Sequence, residues 1–344
     1  MKIFLTGHTG FKGTWLSRLL VMEGHQVTGY GLAPESEFFA LSGVEADMHS
    51  IIGDVRDGER LARAMQEAAP EVVIHMAAQP LVRDSYARPV YTYETNVMGT
   101  VNLLEAVRHC GSVRSVVNVT TDKVYDNLES DRGYREDDRL DGYDPYSNSK
   151  SCSELVTHAY RRSFLDAAGI AVSTVRAGNV IGGGDFARDR ILPDCVRAAV
   201  KGEEIVLRSP GAVRPFQFVL EPLCIYRELA LRQMEDASLA DCWNVGPDRS
   251  DCITVAELTD IFCQTWGGVS WRSEVQEGPH EAGLLMLDCS KLKARLGWRP
   301  TYDIRQAVAA SADWYRTWAE GGDMKRKTEE QIRTFLEMRP EGTR

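Results

Sequence analysis

The sequence predicts an α/β protein with a doubly wound parallel sheet of the Rossmann type and a smaller mixed α/β lobe. Two observations support this fold class. Short apolar runs alternate with helical stretches up to about residue 178, and such alternation is typical of a parallel sheet with helices on both faces. A glycine-rich loop also separates the first apolar run from the first helical stretch, as in the first turn of many such sheets.

The predicted strands are short apolar runs bounded by turn residues. In chain order they are KIFLT, QVTGYGL, HSIIGD, EVVIHMA, SVVNVTT and IAVSTVRAG. The predicted helices between them are longer and amphipathic: GTWLSRLLVMEG, GERLARAMQEAA, TYETNVMGTVNLLEAVRHC and SNSKSCSELVTHAYRRSFLDAAG. Their length and periodicity distinguish them from the strands.

Length and the distribution of glycine and proline predict a second part of the chain. At 344 residues the chain is long for a single core. After about Asn179 the alternation is broken by three consecutive glycines and by Pro193, Pro210, Pro215 and Pro222. The predicted divisions are a Rossmann domain over 1–178, a substrate-binding lobe mainly over 179–320, a segment of about 216–245 that returns to the first domain, and a polar tail over 321–344.

Charge and cysteine content exclude several classes of function. The net charge of −10 argues against nucleic acid or an anionic membrane as a partner. No apolar run approaches the length of a membrane span, and the N-terminal segment does not resemble a signal peptide. The eight cysteines are scattered without a C-x-x-C pair, which indicates reduced thiols in the cytoplasm. The seven histidines show no metal-ligand spacing, so no metal site is predicted.

The glycine-rich loop is a candidate site for a dinucleotide cofactor. It follows the first strand as Gly7-His8-Thr9-Gly10-Phe11-Lys12-Gly13. Glycines let the backbone turn sharply and approach a pyrophosphate, and the N-terminus of the following helix supplies amide donors and a positive dipole. We therefore expect Gly7, Thr9, Gly10, Phe11, Lys12 and Gly13 to contact the cofactor.

The residues after the second and third strands indicate which dinucleotide is bound. The acidic residue that would bind the ribose 2′-hydroxyl is missing, and Tyr30 is expected in its place. No Arg or Lys follows there to hold a 2′-phosphate, so NAD is favoured over NADP. Asp54, next to Val55, is predicted to accept from the adenine amino group, and a helix N-cap is the alternative for Asp54.

Two sets of polar residues predict acid/base chemistry. Tyr146 and Lys150 are one helical turn apart, where the Lys150 ammonium can lower the pKa of the phenol and hold a ribose hydroxyl. Thr121-Asp122-Lys123 ends the fifth predicted strand. Ligands of parallel sheets bind at the carboxyl ends of the strands, so both sets are expected in one crevice. The alternative is a capping threonine and a surface Asp–Lys pair.

These motifs resemble the extended short-chain dehydrogenase/reductases that act on nucleotide sugars, and within them the CDP-glucose 4,6-dehydratases. The matching segments cover Met1 to about Pro300 and are GHTGFKG, HMAAQPLV, TNVMGTVNLLEA, TTDKVY, DPYSNSK, RAGNVIGGGD, RPFQFVLEPL and LGWRP. Dehydratases of dTDP-glucose and GDP-mannose usually carry Thr-Asp-Glu where this chain has Thr-Asp-Lys. Phe218 stands where the family commonly has a histidine.

The resemblance implies a dehydration with no net redox change. Tyr146 would take the proton of the sugar 4-hydroxyl, which Thr121 would orient. Asp122 would protonate the departing C6 hydroxyl, and Lys123 is a candidate for the C5 base. The resemblance further implies bound NAD and a homodimer or homotetramer. CDP-glucose is the favoured substrate, and a dehydratase or 4-epimerase of a dTDP-, GDP- or UDP-linked sugar is the alternative.

The resemblance also assigns residues around the cofactor and the substrate. Those expected at the cofactor are Ala77, Ala78, Gln79 and Asn96. Those expected at the substrate's diphosphate are Asn179 and Arg214, with Arg208 added because an acidic protein needs cations to bind an anionic substrate. His75, on an apolar strand, is expected to be a hydrogen-bonded core residue, and Asn96 has a structural alternative.

Overall fold

The computed structural model describes residues 1–128, 132–274 and 285–340. Over these residues the chain forms two compact units. The first comprises Met1–Asn127, Arg135–Ala177 and Leu223–Asn244. The second comprises Leu128–Tyr134, Gly178–Pro222 and Val245–Arg344.

Strands and helices alternate along the chain. The strands are β1 (Lys2–Thr6), β2 (Gln26–Gly31), β3 (His49–Ile52), β4 (Val72–His75), β5 (Ser115–Val119), β6 (Ala171–Ala177), β7 (Val180–Ile181), β8 (Ile205–Leu207), β9 (Val213–Pro215), β10 (Gln217–Phe218), β11 (Cys242–Val245), β12 (Cys252–Thr254) and β13 (Trp271–Ser273). The α-helices are α1 (Phe11–Met22), α2 (Phe38–Leu41), α3 (Gly58–Ala68), α4 (Val82–Ala87), α5 (Pro89–Tyr93), α6 (Gly99–Arg108), α7 (Pro145–Tyr160), α8 (Ile191–Lys201), α9 (Leu220–Arg232), α10 (Val255–Trp266), α11 (Ser290–Leu296), α12 (Ile304–Ala319) and α13 (Met324–Met338).

The first unit contains a seven-stranded sheet in the order β11-β6-β5-β4-β1-β2-β3. The pairings from β6 to β3 are parallel. The strand order reverses between β1 and β4, and the carboxyl ends of strands at such a reversal form the usual ligand crevice of these sheets. The predicted fold class is confirmed, and each of the six predicted strands is present.

The sheet is held by apolar residues on both faces. Strands β4 and β5 are buried along their whole length, which explains why their sequences are continuous apolar runs without alternation. Phe4, Leu103 and Leu104 are fully buried in one hydrophobic core cluster with residues of these strands. β11 was not predicted, because its sequence CWNV is too short to stand out as an apolar run.

The second unit consists of helices and short strand pairs. β7 pairs with β10, β9 with β12, and β8 with β13. The polar tail expected over 321–344 contains, in its described part, the helix α13, and one face of this helix is buried. Met324, Thr328, Ile332 and Phe335 form that face, and Trp314 donates its indole N–H to Thr328 Oγ1 at 3.0 Å.

The boundaries of the returning segment also differ from the prediction. The structure returns Leu223–Asn244 to the first unit, so the residues from 216 to 222 belong to the second unit. Their backbone explains this: β10 pairs with β7, and Val219 N donates to Ile181 O at 2.8 Å. Within the described residues, no helix is long and apolar enough to span a membrane, and all eight cysteines are free thiols.

Candidate active site

Two glycines of the loop after β1 are required by the fold of the chain itself. Gly7 has φ +74°, and a Cβ there would lie 2.8 Å from Ala77 N. A Cβ at Gly13 would lie 2.0 Å from Gly7 O. Both positions therefore permit no side chain: Gly7 lies against the segment that follows β4, and Gly13 lets α1 begin close to the end of β1.

Gly10 differs, because the chain does not need a glycine there. Its backbone is extended (φ −79°, ψ 172°) and caps α1 without a side-chain hydrogen bond. The nearest atom to an added Cβ would be Gly7 O at 3.5 Å, an ordinary contact. The space above Gly10 and the first amides of α1 fit the pyrophosphate of a dinucleotide. Phe11 and Lys12 are half-buried there, and Thr9 donates its hydroxyl to Leu32 O at 2.8 Å.

The structure corrects the expectation for Tyr30. Its ring is fully buried in the core cluster, and its hydroxyl donates to the backbone oxygen of Asp54 at 3.1 Å. Tyr30 therefore does not occupy the place of a ribose-binding acid. Asp54 is bound by the Arg56 guanidinium at 2.7 Å, and Asp57 is the residue that caps α3. The helix-cap alternative for Asp54 is therefore wrong, and Val55 beside it is buried.

The segment after β4 is fixed by its own side chains. Gln79 bonds its amide to Leu81 and Thr92. The side chain of Asn96 accepts from the backbone N–H of Gln79 at 2.8 Å and donates to Ser149 Oγ at 2.9 Å. Both side chains are almost fully buried, so they position the loop that carries the half-buried Ala77 and Ala78.

His75 lies in the core at the end of β4. It is 1% exposed, and its Nδ1 is 2.7 Å from Thr6 Oγ1. Burial, followed by the charge of Lys150, lowers its pKa to about 3. His75 is therefore a neutral, hydrogen-bonded residue at neutral pH, as the sequence suggested.

Tyr146 and Lys150 are placed by the first turns of α7. Asp144 caps the helix by accepting from Ser147 N at 3.0 Å, and Pro145 occupies its first position. Tyr146 remains half-exposed, whereas Lys150 is 5% exposed and donates to Val119 O at 3.1 Å. Burial, and next the charge of Lys12, lower the pKa of Lys150 to about 7, against the opposing effect of Glu154.

The segment Thr121-Asp122-Lys123 leaves β5 and forms a short 3-10 helix, Asp122–Val124. Asp122 is 1% exposed. Its Oδ1 accepts from Thr121 Oγ1 at 2.9 Å and from Lys123 Nζ at 3.3 Å. Its Oδ2 is buried and has no hydrogen-bond partner among the described residues. Asp122 is thus buried and not part of a surface pair, while the side chain of Lys123 remains partly exposed.

α7 holds this segment directly. Ser151 donates to Val124 O at 2.7 Å, and Lys150 donates to Val119 O. One bond precedes the 3-10 helix and the other is made to its last residue, so this segment is held against α7, and all five predicted catalytic residues lie within the first unit. Such an arrangement supplies a phenol, two amines and a carboxyl group for proton transfer.

The predicted substrate residues lie in the second unit. Asn179 O accepts from Gln217 N at 3.0 Å, immediately before the β7–β10 pair. Arg214 is half-buried in β9, opposite Ile253. Arg208 forms an ion pair with Asp189 at 2.6 Å. An anionic ligand at Arg208 would therefore compete with a carboxylate.

Phe218 does not face solvent or a cleft. It is fully buried, and its ring lies 5.2 Å from that of Tyr302 and 5.7 Å from that of Phe335. Phe218, which stands where the family commonly has a histidine, therefore packs against α13 within the second unit.

One group of potential metal ligands occurs among the described residues. Glu154, His158 and Cys242 bring ligand atoms within 4.8 Å of one another. The carboxylate of Glu154 already accepts from Arg176, Thr120 and Thr174, so both of its oxygens are occupied. We assign no ion to this group. Sequence reasoning missed Glu154, although it extends the Tyr146–Lys150 spacing by one more helical turn.

The fold and the Tyr–Lys site define a class of protein. The chain belongs to the NAD dependent epimerase/dehydratase family, because the sequence model of that family matches residues 3–245. A curated relative is the CDP-glucose 4,6-dehydratase of Salmonella typhimurium, which is 46% identical over 97% of this chain and 96% of its own.

Solved structures are similar over nearly the whole chain. The dTDP-glucose 4,6-dehydratase of Streptomyces venezuelae, with NAD bound, has a TM-score of 0.79 at 26% identity and covers 94% of this chain and 99% of its own. The UDP-glucose 4-epimerase of Thermus thermophilus, in complex with NAD, has a TM-score of 0.79 at 25% identity, covering 92% and 99%.

Proposed function

We propose that this protein is an NAD-dependent nucleotide-sugar 4,6-dehydratase that converts CDP-D-glucose to CDP-4-keto-6-deoxy-D-glucose. One observation carries the proposal: Asp122 is buried in the turn that α7 holds through Lys150 and Ser151, and one of its oxygens has no partner among the described residues. Oxidation alone needs the Tyr–Lys pair, whereas loss of water also needs an acid. The 46% identity to a CDP-glucose 4,6-dehydratase supports the choice of nucleotide.

The first half-reaction is oxidation at C4. NAD, when bound, accepts a hydride from the sugar and later returns it. Tyr146 would take the proton of the 4-hydroxyl, and the positive charge of Lys150 would stabilise its phenolate. Thr121 donates to Asp122 in the free protein. With substrate present, its hydroxyl would donate instead to the 4-oxygen and orient it, which leaves the single proton of the 4-hydroxyl to Tyr146.

The second half-reaction is elimination of water across C5 and C6. Thr121 and Lys123 both donate to Asp122 Oδ1, so Oδ2 is the oxygen that remains available to the substrate. From there Asp122 would protonate the departing C6 hydroxyl. Lys123 is our candidate for the base that removes the C5 proton, because its amine adjoins this carboxyl group. The same residue would return a proton to C5 once the hydride has been added to C6.

The residues of the second unit would bind the substrate's anionic part. Arg214 and Asn179 are our candidates for the diphosphate, and Arg208 would join them after exchanging Asp189 for phosphate oxygens. This exchange would let an acidic protein bind a doubly charged ligand without a permanent basic surface.

A substrate panel tests the proposed function. CDP-, dTDP-, GDP- and UDP-glucose, together with GDP-mannose, are each incubated with enzyme and NAD. Products are then read by ultraviolet absorbance in alkali, which 4-keto sugars show and 4-epimers do not. We expect the signal mainly from CDP-glucose. A signal from another nucleotide reassigns the substrate, and epimer without the alkaline signal contradicts the dehydratase.

The cofactor has an independent test. Tyr30 is buried in the core and offers nothing to a 2′-phosphate, and the family to which the chain belongs is NAD dependent. Mass spectrometry of the extract from denatured protein should therefore recover NAD(H). Recovery of mainly NADP(H) contradicts this assignment.

We further propose a cytoplasmic homodimer or homotetramer that pairs through α5, α6 and α7. Free thiols throughout the chain support the reducing compartment.

The proposed interface between subunits is apolar. Val90, Met98 and Leu155 expose 69%, 50% and 54% of their surface on or beside these helices. Met98→Glu with Leu155→Glu should yield monomer in sedimentation, whereas Val200→Glu on α8 should not. An unchanged mass for the double variant contradicts this interface.

A further inference from the structure

A buried ion pair lies one helical turn beyond Lys150. Glu154 of α7 and Arg176 of β6 both have no exposed surface. The guanidinium is bidentate, with Nε 3.0 Å from Oε1 and Nη2 2.9 Å from Oε2. Thr120 and Thr174 donate to the same two oxygens at 2.5 and 2.6 Å. Burial acts to raise the pKa of Glu154, but the charge of Arg176 and these bonds outweigh it, and the net pKa is lowered.

The remaining nitrogen of Arg176 reaches the segment that carries Asp122. Arg176 Nη1 donates to the Tyr125 hydroxyl oxygen at 2.8 Å. The Tyr125 hydroxyl in turn donates to Asn244 Oδ1 at 2.6 Å. Tyr125 directly follows the 3-10 helix Asp122–Val124 and is 1% exposed. Its phenol thus joins the segment that carries Asp122 to the ion pair between α7 and β6.

We propose that Glu154, Arg176 and Tyr125 form a positioning chain that fixes Asp122 for elimination, and that this chain is not needed for oxidation at C4. The inference rests on the proposed function. Tyr146 and Lys150 are placed by the cap of α7 and by the Lys150–Val119 bond, neither of which involves Tyr125. Asp122, by contrast, lies in the 3-10 helix that Tyr125 directly follows, and the phenol of Tyr125 is held by Arg176.

Tyr125→Phe is the most informative variant, because it removes a single oxygen. Arg176 keeps its bonds to Glu154 and to Glu136 O, so no buried charge loses its partner. Glu154→Ala or Arg176→Ala would leave an unpaired buried charge and confound the test with unfolding. Arg176→Lys is a second variant, since it retains the charge beside Glu154 but lacks the fork that reaches Tyr125.

The experiment is single-turnover mixing of CDP-glucose with the NAD-loaded full-length protein. NADH absorbance reports both its formation and its decay. For Tyr125→Phe we expect formation to stay within about twofold and decay to slow by about tenfold, the rate effect of one lost hydrogen bond. In steady state kcat should fall while KM is unchanged. Arg176→Lys should show the same imbalance.

The matched control is Tyr160→Phe. It removes a phenol bonded to Glu105 at 2.9 Å at the far end of the same helix, and both phases should remain as in the wild type. Equal slowing of both phases by Tyr125→Phe, or no slowing of either, overturns the positioning chain. If the wild-type protein itself forms no 4-keto product from any nucleotide sugar, the proposed function fails and the inference fails with it.

Discussion

Lys150 Nζ donates to the backbone oxygen of Val119 at 3.1 Å, which ties the catalytic helix α7 to the carboxyl end of β5. This bond sets the separation between the Tyr–Lys pair and the segment that begins at Thr121. It also leaves Lys150 buried among groups that include a second cation, Lys12, so that its charge is costly. The acid/base behaviour of the site follows from this geometry.

The first prediction concerns Tyr146. Tyr146→Phe removes the phenol that we propose takes the C4 proton, and kcat should fall by roughly 10²–10⁴ because general acid/base catalysis is lost. KM for CDP-glucose should change little. The control is Tyr143→Phe on the preceding loop, whose side chain is 77% exposed and whose loss should have no effect. Near-normal turnover of Tyr146→Phe removes Tyr146 from the mechanism.

The second prediction concerns the pH dependence of stability. The pKa of Lys150 is about 7 in the folded protein and ~10.4 in the unfolded chain. Between these values the unfolded chain holds a proton that the folded protein has released. The free energy of unfolding therefore gains a contribution that rises with pH, by up to about 1.4 kcal/mol per pH unit.

Lys150→Met lacks this contribution. The free energy of unfolding of both proteins is measured with denaturant at about pH 8 and about pH 9. The wild-type value minus the variant's should be larger at the higher pH by roughly 1 kcal/mol. Parallel pH dependences would show that Lys150 titrates normally in the folded state.

The third prediction separates the glycines of the loop. Gly13→Ala places a Cβ 2.0 Å from Gly7 O and should cost about 1–3 kcal/mol of unfolding free energy through overpacking. Gly10→Ala meets only an ordinary contact, so its stability should change by less than about 0.5 kcal/mol. It should nevertheless weaken NAD binding by about tenfold or more, measured by titration calorimetry. Unchanged NAD affinity in Gly10→Ala contradicts a pyrophosphate at this position.

The fourth prediction concerns the residue that departs from the family. Phe218→His puts ring nitrogens into the aromatic contacts with Tyr302 and Phe335, and an unsatisfied buried polar atom costs about 1–3 kcal/mol. The melting temperature should fall, while the ratio of kcat/KM for CDP-glucose and dTDP-glucose stays constant. A changed ratio would make Phe218 a specificity residue.

The sequence predicted those features that depend on local pattern. β4 and β5 were evident because strands buried on both faces are continuous apolar runs. Tyr146 and Lys150 were evident because helical spacing places them on one face. The buried face of α13 was not predicted, because its apolar residues are few among charged ones and only their spacing of three and four residues marks that face.

Roles that depend on distant partners could not be predicted. The amide of Asn96 bonds Ser149, 53 residues away, and nothing local distinguishes this from a cofactor contact. Arg176 reaches Tyr125 across 51 residues. Tyr30 was misplaced because strand alternation alone does not tell which face of β2 meets the core.

The central claim is that Asp122 is the acid that turns a dehydrogenase site into a dehydratase site. Asp122→Asn keeps the shape of the side chain but carries no acidic proton. Asp138→Asn is the control, since Asp138 lies in an exposed turn where it accepts from Arg135 N. Exchange of the C5 hydrogen with deuterium from solvent should continue in Asp122→Asn if Lys123 is the base.

The most direct measurement is NADH absorbance after single-turnover mixing of Asp122→Asn with CDP-glucose. We expect the absorbance to rise as in the wild type and then to persist, because C4 is oxidised but water is not lost. Full dehydration by Asp122→Asn with no accumulation of NADH would contradict this role, and Thr121-Asp122-Lys123 would then be a structural turn.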